Sequence, residues 1–327
     1  MFAPGPLSCT LTIHSCYHMP QRLLILVLLE VLLGWGTGKS ALAQGNGPGV
    51  RGARAAALGN ASVALDGEAW AVANNPAGLG SLSRPMVGFY AQNRYFSTVL
   101  NVGAAVVALP LGSPQGLEAA ADESGGAPMG TPAAPRAWAR RGVVAFEAQR
   151  FGGQLYNETR VGAGYGYRLG QISVGGRVEL LQISIEGLDS RRVALASLGG
   201  QVEVLPGKLT LGVYGYNLGQ VRLASYQDER VPTVLKAGLA YRPTAQVLLA
   251  LETEKDVERP ANFKVGVEYR PVGALAARVG VASLSEEISA GIGVRLRDFG
   301  LDYAAAFQAV LGFSQHLSVT KTWGKNQ

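Results

Sequence analysis

Cysteine and histidine are almost missing from this 327-residue chain. Cys9 and Cys16 both precede Met19, and of the three histidines only His316 lies beyond residue 43, the expected end of a signal peptide. The remaining chain has no disulfide and no thiol chemistry. Metal sites of the usual His/Cys kind and Cys/His catalysis are excluded with them. A serine triad would have to use His316, which sits between Gln315 and Leu317 on a terminal strand and reads as a residue of the lumen or rim. Charge is scarce as well, at 16% of residues, and the net +6 is spread along the chain, so no nucleic-acid footprint is present. The glycine pairs Gly152-Gly153, Gly175-Gly176 and Gly199-Gly200 lack the strand-loop-helix context of a phosphate loop. They read instead as places where strands bend or where lumen contents approach closely. The expectation is a protein with no catalytic residues, no metal and no cofactor, hence not an enzyme.

Long apolar runs are absent too. The longest, residues 23–33, is interrupted by Glu30 and falls short of the roughly 20 residues a membrane-spanning helix needs. Arg22 before it and Ala41-Leu42-Ala43 after it make an export signal peptide with an A-x-A cleavage pattern. Residues 1–43 are therefore expected to be removed, with Met19 the expected start of translation. Losing Arg22, Lys39 and Glu30 changes the net charge from +6 to +5. No cysteine at the cleavage point can carry a lipid, so any membrane attachment falls to the fold.

What the chain has in plenty is glycine, 44 residues, and alternation of period two. Val161, Ala163, Tyr165, Tyr167 and Leu169 oppose Arg160, three glycines and Arg168. Phe263, Val265, Val267 and Tyr269 oppose Lys264, Gly266, Glu268 and Arg270. Ile288 to Leu296 and Phe299 to Phe307 repeat the pattern. Such alternation describes any half-buried strand, including those of a soluble double-sheet protein with hairpins of mixed length. A transmembrane barrel turns the apolar face to lipid and allows Arg, Glu and Gly inside, with aromatics near the interfaces. Tyr167, Tyr241, Tyr269, Phe299 and Trp323 occupy such positions.

Counting segments gives about 14 strands between residues 84 and 323, the even number expected of a bacterial barrel. Every second connection is tight, as in Leu205-Pro206-Gly207-Lys208 and Arg242-Pro243-Thr244-Ala245, and would be periplasmic. The others are on the whole longer and more polar. The Gly/Ala/Pro/Ser-rich insert at 111–137 breaks this order, because it falls on the short-turn side. The expected fold is therefore all-β, an antiparallel transmembrane barrel of about 14 strands. Residues 44–83 are expected to form an N-terminal hatch filling its lumen. Charges expected to line that lumen include Arg160, Arg168, Arg177, Glu179, Glu252, Lys264, Glu268, Arg270, Arg278, Arg295 and Asp302. Their mixed signs suit salt bridges to one another or to the hatch, with a substrate-recognising ladder as the other possibility.

Two stretches of the hatch, Arg51-Gly52-Ala53-Arg54 through Leu58-Gly59-Asn60-Ala61, and Asn74-Asn75-Pro76-Ala77-Gly78-Leu79, resemble the N-terminal region of FadL-type outer-membrane transporters and of PorV/PorQ-type proteins. The runs 254–260 and 310–316 look closer to the PorV/PorQ branch. The resemblance implies a Gram-negative outer-membrane barrel in contact with outer-membrane lipid, whose hatch carries the N-P-A motif as a gate. It leaves two functions open: passing or binding a hydrophobic ligand, and acting through secretion-system proteins as an accessory barrel of type IX secretion. Trp323 is followed by four more residues, which displaces the aromatic terminal signal that such barrels usually carry.

Overall fold

A computed structural model describes residues 47–111, 141–187, 190–223 and 230–324. The expected signal peptide and all of the insert but Leu111 lie outside the described residues. The first half of the barrel comprises β1 (Met86–Asn93), β2 (Asn101–Pro110), β3 (Val143–Gly152), β4 (Tyr156–Leu169), β5 (Ile172–Ile185), β6 (Arg191–Leu205) and β7 (Leu209–Tyr216). The second half comprises β8 (Val234–Thr244), β9 (Val247–Asp256), β10 (Asn262–Val272), β11 (Leu275–Ala282), β12 (Glu287–Leu296), β13 (Phe299–Gln308) and β14 (Gly312–Thr322). Each strand pairs with its sequence neighbours, and β1 pairs antiparallel with β14 from Met86↔Thr322 to Asn93↔Gln315. Closure leaves no unpaired edge, as a strand protein in hydrocarbon requires.

The strand expected from residue 139 begins at Val143. Gly142 has φ 82°, which favours glycine, and its carbonyl accepts from the Leu111 N–H at 2.7 Å, so the chain turns there. Leu111, where the insert begins, and Arg141, beyond its far end, thus lie on the short-turn side. The longest described connection on the opposite side is the β7–β8 loop, whose described parts are residues 217–223 and 230–233.

Alternation sorts residues between the two surfaces. On β13, Leu301 and Tyr303 are exposed while Asp302, Ala304 and Ala306 are buried. On β12, Ile288, Ile292 and Leu296 are more than half exposed and Ser289 is buried. The buried set packs against the chain inside the barrel, so the apolar set faces outward. A continuous exposed apolar surface of this extent suits hydrocarbon rather than water. Tyr241, Tyr269, Phe299 and Trp323 ring the short-turn end, and Phe263, Phe307 and Phe313 lie at the other. No helix among the described residues is long and apolar enough to cross a membrane.

Residues 47–83 lie inside the barrel as α1 (Ala53–Ala57), α2 (Ala71–Asn74) and a 3-10 turn (Pro76–Ser81). Alanine suits α1 by propensity and by size, since Ala53, Ala55 and Ala57 are fully buried. Asn75, extended at φ −161°, starts the 3-10 turn: its Oδ1 accepts from the Ala77 N–H at 3.2 Å, and Pro76 needs no partner at the first position. The wall opposite is largely glycine. A Cβ on Gly166 or Gly175 would run into the Pro76 backbone, one on Gly212 into Val63, and one on Gly266 or Gly280 into Leu58 and Gly59. The inner-face glycines are thus the bed of the hatch.

Candidate functional site

Asn74, Asn75, Pro76, Ala77, Gly78 and Leu79 are all buried, and the 3-10 turn they enter packs on β4, β5 and β6. The two asparagines do different work. Asn74 grips the start of the hatch, its Oδ1 accepting from the Arg51 N–H at 2.9 Å and its Nδ2 donating to the Arg51 carbonyl at 2.8 Å. Asn75 donates to the Val63 carbonyl at 2.6 Å and, at longer range, to the carbonyls of Gly200 and Val213 on the wall. Gln201 of β6 donates to the Val63 and Leu65 carbonyls, at 3.0 Å each. Proline and glycine in this motif let the chain turn tightly against a wall without side chains.

Three ion-pair clusters tie the hatch to the barrel. In the first, Arg177 bridges Glu147 (2.9 Å) and Glu179 (2.5 Å), Arg160 reaches Glu158 and Glu179, and hatch residue Arg51 approaches Glu147 at 3.5 Å. Tyr216 donates to Glu179 at 2.7 Å. In the second, Lys236 and Lys264 sit among Glu252 and Glu254. The second oxygen of Glu252 accepts the N–H groups of Ser62 and Val63, both at 2.7 Å. In the third, hatch residue Arg54 forms a fork on Glu268 (2.7 and 3.0 Å) and a further pair with Glu68. Glu268 also takes Arg278 and Arg270, and Asp302 takes Arg278 and Arg295. Burial works against the Arg54 charge, but Glu68 and Glu268 outweigh it and raise its pKa well above the ordinary guanidinium value. Buried pairs of this kind add little net stability, yet removing one partner strands the other, so they fix position.

Each expected lumen charge therefore has a charged partner, but they do not all lie at the same depth. Arg160, Arg177, Glu179, Glu252, Lys264, Glu268, Arg278 and Asp302 are buried inside the barrel. Arg168, Arg270 and Arg295 reach the short-turn mouth, with side chains 29%, 43% and 41% exposed. Arg168 pairs there with Glu203 at 2.5 Å. His316 is buried and its Nδ1 lies 2.8 Å from the Tyr90 hydroxyl. Sequence reasoning missed Arg51, Arg54, Glu68, Glu147, Glu158, Lys236 and Glu254 as participants. Alternation along β3 and β8 could have placed Glu147 and Lys236 inside, whereas nothing local signals the role of the hatch arginines.

The inner wall also departs from the expected polar or empty face. Toward the loop end of β5 to β8, Leu181, Ile183, Leu195, Tyr214 and Val234 are buried inside the barrel with Val231 of the β7–β8 loop. Asn217 fastens that loop by donating to the Val231 carbonyl at 2.7 Å and accepting from the Val221 N–H at 3.1 Å. Among the described residues no group of three or more His, Cys, Asp and Glu side chains is arranged to hold a metal ion.

No protein-family model matches the chain, and no curated protein matches it by sequence. Solved structures do match in fold. A Pseudomonas aeruginosa FadL homologue aligns over 82% of this chain and 97% of its own, at 10% identity and a TM-score of 0.52. The Pseudomonas putida toluene transporter TodX aligns over 85% of this chain and its entire own length, at 11% identity and a TM-score of 0.51. A deltaS2 mutant of TodX, described as a monoaromatic hydrocarbon channel, aligns over 84% and 99%, at 11% identity and 0.53. The chain thus has the fold of a FadL-type outer-membrane β-barrel.

Proposed function

We propose that this barrel passes a hydrophobic or amphipathic molecule across the outer membrane, with residues 44–83 as the hatch and Asn74, Asn75, Pro76, Ala77, Gly78 and Leu79 as its gate. The observation that carries this reading is how the hatch is held. Among the described residues it makes no backbone–backbone hydrogen bond to any strand; side-chain groups alone tie it to a wall of glycine. Such a segment can shift without opening the strand ladder. The apolar inner patch around Leu181, Ile183 and Leu195 favours a hydrophobic passenger, in keeping with the names of the TodX structures.

The test is uptake of a hydrophobic fluorophore into vesicles containing the protein. Asn75→Ala and Pro76→Gly should change the rate severalfold while the heat-dependent gel mobility of a folded barrel is kept. Unchanged uptake by both folded variants would refute the gate. The accessory-barrel reading, with secretion-system proteins as partners, has no geometric feature in its favour among the described residues, and co-purification with such proteins would support it.

A further inference from the structure

At the short-turn end the hatch leaves a cavity of about 350 Å³, toward the small end of ligand-pocket sizes. Six arginines line it against four carboxylates, an excess of two positive charges. Three of the arginines have carboxylate partners at the mouth: Arg84 with Asp298 at 3.2 Å, Arg242 with Asp66 at 2.8 Å, and Arg54 with Glu68 besides its fork on Glu268. The other three have none to themselves. Arg270 leans on Glu268 and Arg295 on Asp302, but both carboxylates are already engaged from behind by the buried Arg278. Arg297, in the left-handed turn between β12 and β13 at φ 52°, has no ion-pair partner among the described residues. Thr320 and Thr322 line the same wall. Trp70, also part of the lining, is buried and its indole N–H has no hydrogen-bond partner within the protein.

We infer that this cavity binds a phosphate-type dianion, held by Arg270, Arg295 and Arg297. Guanidinium forks match tetrahedral oxyanions bidentately, and a phosphate monoester carries about −1.5 to −2 at neutral pH, which answers the local excess. Asp66 and Glu68 belong to the hatch, so an anion drawing Arg270 and Arg295 away from their shared carboxylates would also rearrange the third cluster that holds Arg54. The inference stands apart from the transport proposal, since the site is complete with the hatch in place.

The experiment is calorimetric titration of the intact protein in neutral-detergent micelles with inorganic phosphate, ionic strength being held constant with chloride. Saturable binding of one phosphate is expected. Arg297→Asn, which suits the left-handed turn and breaks no ion pair among the described residues, should weaken it at least tenfold, and Arg295→Gln similarly. Lys255→Gln, an equal charge change at the far end of β9, should leave it unchanged. Tighter binding of glycerol phosphate than of micelle-dispersed phosphatidic acid would mark a soluble ligand, and the reverse order a lipid headgroup. Absence of saturable binding, or equal losses in Arg297→Asn and Lys255→Gln, would overturn the site.

Discussion

Glu268 engages three arginines, more than any other carboxylate described. It accepts from Arg54 of the hatch and from Arg278 and Arg270 of the barrel, while itself 2% exposed. Glu268→Gln leaves three guanidinium groups competing for a neutral acceptor. The expected loss is about 3–5 kcal/mol, the usual cost of removing one partner from a buried ion pair, read as a lower temperature for the folded-to-unfolded gel mobility shift. Asn75→Ala should be milder, about 1–3 kcal/mol, because it frees the Ala77 N–H and leaves the Val63 carbonyl to Gln201 alone, without stranding a charge. An Asn75→Ala protein as heat-stable as the parent would remove the clamp from the account.

At the scale of elements, wall and hatch should come apart experimentally. Gly280→Val places a side chain where Leu58 and Gly59 pass, yet β11 keeps its pairing with β10 and β12. The barrel should still form and resist protease, while cleavage appears within residues 47–83. A hatch as protected as in the parent would show that the wall yields instead. On the outer face Ile292, 60% exposed at mid-strand, meets hydrocarbon. Ile292→Arg should cost about 2–4 kcal/mol in folding into lipid bilayers, and Ile292→Val almost nothing. The strands themselves were legible in the sequence because a period of two survives in β4, β10, β12 and β13 without reference to anything distant. The apolar inner patch was not, since around Leu180-Leu181 both faces are apolar and alternation falls silent. The hatch's attachments were illegible for another reason: Arg54 and Glu268 are 214 positions apart. Composition announces that an arginine needs a partner without saying which carboxylate the closed ring will bring to it.

For the molecule as a whole, closure and occupancy are separate properties. The β1–β14 ladder closes the ring, and residues 47–83 occupy it through side-chain bonds, ion pairs and close packing on glycine. A barrel so filled should be tight to ions at rest and leak once the hatch is loosened. Single-channel recording in planar bilayers tests this most directly, comparing the native protein with an Arg54→Ala/Glu252→Ala variant that removes a hatch anchor from each of two clusters. The account predicts a silent native protein and discrete openings in the variant, both retaining heat-dependent mobility. Steady conductance in the native protein, or a folded variant that stays silent, would contradict the claim that the hatch seals the barrel.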